Sequence, residues 1–233
     1  MIKLYQFNPA WGLPNPSPFC MKVETYLRMV GLPYEVINGV LPFKAPKKKL
    51  PYIKDGTQVI ADSGFILKYL EQTYGDKLDE NLSDHEKASA HALSRLFEES
   101  LYWVVLYCRW TEESIYLESR RVFLGTIPPI MRELVAGRVR KGIRKTLYAQ
   151  GMGRHGRDEI YEIGKADLTA VSVWLGEKSF FMGATATSVD ASAYSFLANI
   201  LVPPLKSPLQ DHGKSLPNLW AYCERMKTRY YET

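Results

Sequence analysis

Cysteine is scarce in this chain of 233 residues: there are three, Cys20, Cys108 and Cys223, odd in number and widely separated. That excludes a disulfide framework and points to a reducing compartment. Histidine is nearly as rare. The four residues His85, His91, His155 and His212 share no metal-ligand spacing with each other or with cysteine, so no metal is expected. No long apolar run is present. Ala191 to Val202 is the most apolar stretch, too short to span a bilayer and closed by Pro203-Pro204. Met1 leads directly into a strand-like segment with no secretory signal pattern, so the expected location is the cytoplasm. Excess charge is also lacking. A formal +5 is too mild to indicate nucleic acid, and the basic residues Arg138, Arg140, Lys141, Arg144 and Lys145 read as a solvated helix face. Internal repeats and low-complexity tracts are absent.

What is present is a chain long enough for a substantial core, with fifteen tyrosines and five tryptophans. Its first third alternates. Residues 2–7 read as a strand, and residues 18–30 carry a helical apolar stripe through Phe19, Val23, Tyr26, Leu27 and Val30. Gly31 and Pro33 end that helix, and Tyr34 to Ile37 read as a second strand. This is a βαβ unit, so the two strands should pair in parallel. Asp55-Gly56 between Leu50–Lys54 and Gln58–Ala61 is a hairpin signal. A helix over residues 65–71 follows. Residues 74–83 read as a polar linker, and every long segment beyond them reads helical. A capping box at Ser83–Glu86 opens a helix to about residue 110. Further helices are expected over 129–150, 157–176, from Thr187 with Asp190 at its third position, and from 217 to 230. The fold class is therefore α/β plus all-α: a mixed four-stranded domain over residues 1–76, then an all-helical domain over 83–233.

The stretch around which this is arranged is Asn15-Pro16-Ser17-Pro18-Phe19-Cys20. Pro18 suits a first helical turn and Ser17 its N-cap. A hydroxyl, with a thiol three residues on, then stands at the positive end of a helix, where an anion such as a thiolate is favoured. The same residues also describe nothing more than a well-capped helix with a small buried cysteine.

Three motifs together resemble the glutathione transferase superfamily, with a thioredoxin-like first domain and an all-helical second one. Ser17-Pro18-Phe19-Cys20 sits where that family holds its activating residue, Leu50-Pro51-Tyr52-Ile53 resembles its cis-proline turn, and Asp62-Ser63 followed by Phe65-Ile66 resembles its Glu/Gln-Ser element. Phe181-Met182-Gly183 and Thr187-Ser188-Val189-Asp190 resemble its late capping-box helix. Ser-Pro-Phe-Cys-x-Lys-Val-Glu, Lys-x-x-Leu-Pro-Tyr-Ile and Gly153-Arg154-His155-Gly156-Arg157 with Gly164-x-x-Asp167-Leu168 are similar to the metaxin-like and failed-axon-connections-like subgroup.

The resemblance implies glutathione as co-substrate and a small apolar electrophile as second substrate. It implies that Ser17 stabilises the glutathione thiolate. Cys20 is expected to pack inward, with a direct redox role as the alternative. Leu50, before a cis Pro51, would pair with the cysteinyl backbone of glutathione. Asp62 and Ser63 would hold its γ-glutamyl end, and Lys49 its glycyl carboxylate. Trp11 and Asn15 would lie beside Ser17. Trp103, Tyr107 and Trp110 recur at helical spacing and would line the second-substrate pocket, or else belong to the core. A homodimer is expected by the same resemblance. Two other functions stay open on this reading. One is a non-catalytic adaptor, since metaxin-like proteins act in mitochondrial protein import. The other is a thiol reductase working through Cys20.

Overall fold

The computed structural model describes residues 1–232. Strands β1 (Ile2–Tyr5), β2 (Tyr34–Ile37), β3 (Tyr52–Asp55) and β4 (Gln58–Ala61) form one sheet in the order β2-β1-β3-β4. The β1–β2 pair is parallel, across the right-handed connection that helix α1 (Pro18–Val30) provides; the other two pairs are antiparallel. Short strands of alternating apolar residues suit this half-covered sheet, and Leu4 and Ile53 are wholly buried beneath α1 and helix α2 (Ser63–Tyr74). The first strand stops at Tyr5 rather than Phe7. Gln6 keeps hydrogen bonds to Ile37 and Val40, but the Phe7 carbonyl is taken by the Asn15 side chain. Gly31 ends α1 at φ +67°, a left-handed conformation that glycine adopts without penalty.

Eight α-helices follow among the described residues: α3 (Asp84–Arg95), α4 (Tyr102–Thr111), α5 (Glu113–Phe123), α6 (Pro129–Gln150), α7 (Arg157–Leu175), α8 (Ser188–Leu201), α9 (Pro208–Lys214) and α10 (Pro217–Tyr231). The helix expected over residues 83–110 is divided by a π-helical stretch, Leu96–Leu101. Two helices were not expected at all, α5 and α9. Helix α9 is short, with Leu209 its one large apolar residue, and is held by tertiary packing more than by its own pattern, whereas α5 is amphipathic and buries Ile115, Tyr116 and Ser119. Helix α2 also extends past both ends of the expected 65–71, starting early under the Asp62 cap and running to Gly75.

Helix α8 is the centre of the helical part: every residue from Val189 to Leu201 is buried. It packs against α1, α3, α9 and α10. Phe19 of α1 meets Phe196 of α8 and Tyr102 of α4 edge-on, at centroid distances of 5.4 and 5.0 Å. Gly164 lets α7 approach closely, since a Cβ there would stand 2.8 Å from both Leu209 and Val104. The two parts are also joined by buried polar groups. Lys22 of α1 reaches Glu98 at 2.5 Å, both about 5 % exposed, and Ser192 of α8 donates to the same carboxylate at 2.9 Å. Among the described residues no helix is long and apolar enough to cross a membrane.

Candidate active site

The register of the sheet brings the sequence motifs to one corner. Tyr52 pairs with Ala61 and with Tyr5. Leu50-Pro51 therefore enters β3 beside Asp62-Ser63 leaving β4, next to Gln6-Phe7 leaving β1. The Leu50–Pro51 bond is cis. Leu50, Tyr52 and Ala61 pack around Cys20, so the start of α1 stands over this corner.

Ser17 is the N-cap of α1, in extended conformation, with Pro18 in the first turn. Its hydroxyl accepts from the Cys20 N–H at 3.5 Å, a long and weak bond. The Ser17 N–H donates to Asn15 Oδ1 at 3.0 Å, and Asn15 Nδ2 donates to the Phe7 carbonyl at 2.8 Å. Asn15 is fully buried and thus ties the Ser17 loop to the end of β1. No acidic side chain lies in the first turn of α1, so its partial positive charge has no carboxylate of its own.

Cys20 lies one turn deeper and is fully buried. Burial pushes its thiol up to about 12, outweighing the opposing hydrogen bonds from Ser17 and the Phe7 backbone. That is the inward packing expected of it, and a thiol held neutral and out of solvent is a poor nucleophile. Cys108 and Cys223 are buried as well, and burial raises both.

Asp62 has φ +87° and ψ 128°, a region that non-glycine residues rarely occupy. In that conformation its Oδ1 accepts from the N–H groups of Gly64 and Phe65 at 3.0 and 3.3 Å. Asp62 itself is exposed and Ser63 beside it is buried. Lys49 is exposed on the segment leading to Leu50. Its neighbours are more engaged than a solvated run would be: Lys47 stands 4.6 Å over the Phe65 ring, and Lys48 donates to the Phe43 carbonyl at 2.8 Å.

The aromatic candidates separate. Trp11, in a left-handed turn at φ +58°, donates its indole N–H to Glu118 of α5 at 3.0 Å. Phe123 of α5 then gathers Phe7, Trp11 and Trp110 around one ring, at centroid distances of 5.2, 6.1 and 5.9 Å. This wall adjoins the Ser17 loop. Tyr107 is instead directed to Tyr161 of α7, 6.2 Å away, and Trp103 packs on Tyr102. Those two belong to the helical core, where they fringe its main cluster. A cavity of about 310 Å³ lies elsewhere, between Gly12–Pro14, α8 and α10, and none of the motif residues lines it.

Two residues of this corner were missed by sequence reasoning, Phe123 and Arg109. Arg109 of α4 is 4 % exposed. It donates to the Pro16 carbonyl at 2.6 Å and to the backbone and side-chain oxygens of Asn199 at 2.8 and 3.0 Å. Its guanidinium also lies 5.0 Å from the Trp11 ring. Phe123 lies on the unexpected α5. Arg109 stood within an aromatic run whose buried face gave no hint of a charged partner. No group of acids, histidines and cysteines among the described residues could hold a metal ion.

Comparisons with known proteins bear on the family and the fold. Residues 18–115 match the family model of the glutathione S-transferase N-terminal domain, and residues 164–226 that of the C-terminal domain. The chain is 37 % identical to the isoprene-epoxide–glutathione S-transferase of Rhodococcus sp. (strain AD45), over 99 % of both chains. It is 34 % identical to Failed axon connections of Drosophila melanogaster, over 99 % of this chain and 58 % of that one. It is 28 % identical to Metaxin-1 of Mus musculus, over 99 % of this chain and 75 % of that one. Among solved structures, a beta-etherase from Sphingobium sp. strain SYK-6 superposes with a TM-score of 0.67 at 18 % identity, covering 98 % of this chain and 95 % of that one. Glutathione S-transferase III in its apo form follows with a TM-score of 0.62 at 19 % identity, over 98 % and 92 %. A thioredoxin-like sheet with its cis-proline turn, a capped α1 and a helical second part, matched end to end by a transferase, place this chain in the glutathione S-transferase family, with metaxin-like relatives.

Proposed function

We propose that this chain is a glutathione transferase in which Ser17 stabilises the glutathione thiolate for attack on a small apolar electrophile. The observation that carries the reading is the convergence of Ser17, Leu50-Pro51 and Asp62-Ser63 at one corner of the sheet, with α1 opening there without a counter-charge. Glutathione lies extended along Leu50, whose backbone pairs with its cysteinyl unit as an added strand would. Its γ-glutamyl ammonium meets the Asp62 carboxylate, its γ-glutamyl carboxylate meets Ser63, and Lys49 meets its glycyl carboxylate. The sulfur comes to Ser17, whose O–H donates to the thiolate, while the helix end adds its own field.

The second substrate rests against Phe7, Trp11, Phe123 and Trp110. The name of the Rhodococcus relative supports an alkene epoxide as the first candidate. In that reaction the thiolate sulfur forms a bond to an epoxide carbon, the C–O bond breaks, and the alkoxide takes a proton from water. The protein's share is to hold sulfur and carbon in line and to keep the thiol ionised.

Calorimetric titration with glutathione tests the binding half. Saturable binding is expected, and Ser63→Ala should weaken it. A folded protein that takes up no glutathione at millimolar concentration would end the transferase reading. The adaptor reading would then lead, supported by the likeness to Failed axon connections and Metaxin-1 along nearly the whole of this chain.

A further inference from the structure

Five charged side chains are buried among the described residues, and four of them have partners that account for them. Lys22 has Glu98, Glu24 has Arg28 at 3.3 Å, and Asp190 accepts from Phe181, Thr187 and Tyr222. Arg109 differs. It reaches only neutral oxygens, and no carboxylate pairs with it among the described residues. Burial lowers its pKa to about 10, which leaves it a cation at neutral pH. The ionisable groups that face it are Tyr102 and Cys108, both neutral there because burial raises them. A buried charge without a counter-charge is costly, and the three oxygens that Arg109 serves are all uncharged.

The counter-charge cannot sit on the guanidinium itself. The void beside it, lined by Cys108, Asn199 and Ser207, measures about 20 Å³, room for one water and no anion. The nearest place where the family chemistry develops a negative charge is one peptide unit away: Arg109 holds the Pro16 carbonyl, and the next residue is Ser17. Asn199, fixed by Arg109, also donates to the Asn15 carbonyl at 3.3 Å, so the whole Asn15-Pro16-Ser17 turn is held from α4 and α8. Other charges around the start of α1 are already matched. Lys22 and Glu24 are paired as above, and Glu118, beyond Trp11, is paired with Arg121 at 2.6 Å.

We infer that Arg109 is a positioning residue of the active site, an internal cation from the helical domain that fixes the Ser17 turn and whose missing counter-ion is the glutathione thiolate. This rests on the transferase reading. It adds a second source of thiolate stabilisation to the Ser17 hydroxyl, and it comes from the other domain. Tying part of the thiol activation to the docking of α4 against the Ser17 turn means that the sulfur is ionised most fully when the two domains are assembled.

The test follows the ultraviolet band of the thiolate as a function of pH, with bound glutathione on the full chain. Arg109→Gln keeps a donor for Pro16 and removes the charge, and Arg109→Lys keeps the charge. The Gln variant should raise the midpoint of the bound thiol by about one pH unit, a tenfold loss of thiolate at neutral pH. The Lys variant should restore most of it, and glutathione affinity at low pH should change little in either. Asn199→Asp supplies the missing carboxylate within the same contact and should raise the midpoint as well, which covers a Gln variant that fails to fold. An unchanged midpoint in folded variants that bind glutathione overturns this inference alone. A wild type that binds no glutathione overturns the transferase reading and this inference with it.

Discussion

Helices α1 and α8 both begin inside the protein, and they finish their N-termini in opposite ways. At α8 the opening is closed from within. Asp190 at the third position accepts from the Thr187 N–H and hydroxyl at 2.8 and 3.1 Å, from the Phe181 N–H at 3.0 Å and from Tyr222 at 3.0 Å. At α1 the cap is a single hydroxyl 3.5 Å from its donor, no acid stands in the first turn, and the cation Arg109 donates to the Pro16 carbonyl just before the cap. A helix end completed by its own residues serves the fold. One left electropositive, with a cation behind it, is arranged for a ligand. On the proposed function, the site end is thus distinguished by what it leaves unmatched.

That contrast can be broken most forcefully at α8. Asp190→Ala strands four buried donors, and a loss of roughly 3 kcal/mol or more is expected from denaturant unfolding. A change below about 1 kcal/mol would mean that water replaces the carboxylate. At α1 the sign of the experiment reverses. Ser17→Ala should reduce stability by no more than about 1 kcal/mol while lowering the rate of glutathione conjugation about a hundredfold, with glutathione affinity kept. A Ser17→Ala enzyme of undiminished rate would reduce Ser17 to a cap.

The thiols sharpen the comparison through pH. Cys20 is raised to about 12, and burial raises Cys108 and Cys223 too. In the unfolded chain thiols titrate near pH 8.5, so above that pH the unfolded state loses protons that the native state retains. Stability is therefore full below about pH 8.5 and declines as pH rises toward the folded value, at up to about 1.4 kcal/mol per pH unit for each thiol. Native protein should resist alkylation at pH 8, and rapid labelling of Cys20 would contradict its packing role. The smallest effect is expected at Asp62→Gly. Glycine relieves the φ of +87° but gives up the cap, so stability should shift by less than about 1 kcal/mol. Glutathione affinity should nevertheless fall, which separates a strained binding residue from a structural one.

Much of the corner was legible because it is built from local signals. Ser17-Pro18, Asp55-Gly56 and Asp62-Ser63 each set their own turn, and the period-two strands between them bring the turns together. Cis Pro51 followed from the family resemblance and not from any local rule. The helical wall was less legible. A stripe of Trp103, Tyr107 and Trp110 says that a helix has an aromatic face without saying which neighbour covers it. Phe123 on α5 claims Trp110, and Tyr161 on α7 claims Tyr107. Arg109 was invisible for the same reason. Its partners, Pro16 and Asn199, lie about 90 residues away on either side, and only their packing turns a charged residue inward.

The Lys22–Glu98 contact bears on how the molecule comes apart. Lys22 and Thr25 lie on the side of α1 that faces the helices, and Thr25 bonds to Tyr231 at 2.8 Å. Severed from the helical part, α1 would present a buried-type ammonium and hydroxyl to water, while Glu98 would be left with Arg95 and Ser192. Neither half carries a finished surface where it meets the other. Heating should accordingly give one cooperative calorimetric transition rather than two, and the sheet portion expressed alone should behave as a loosely ordered chain.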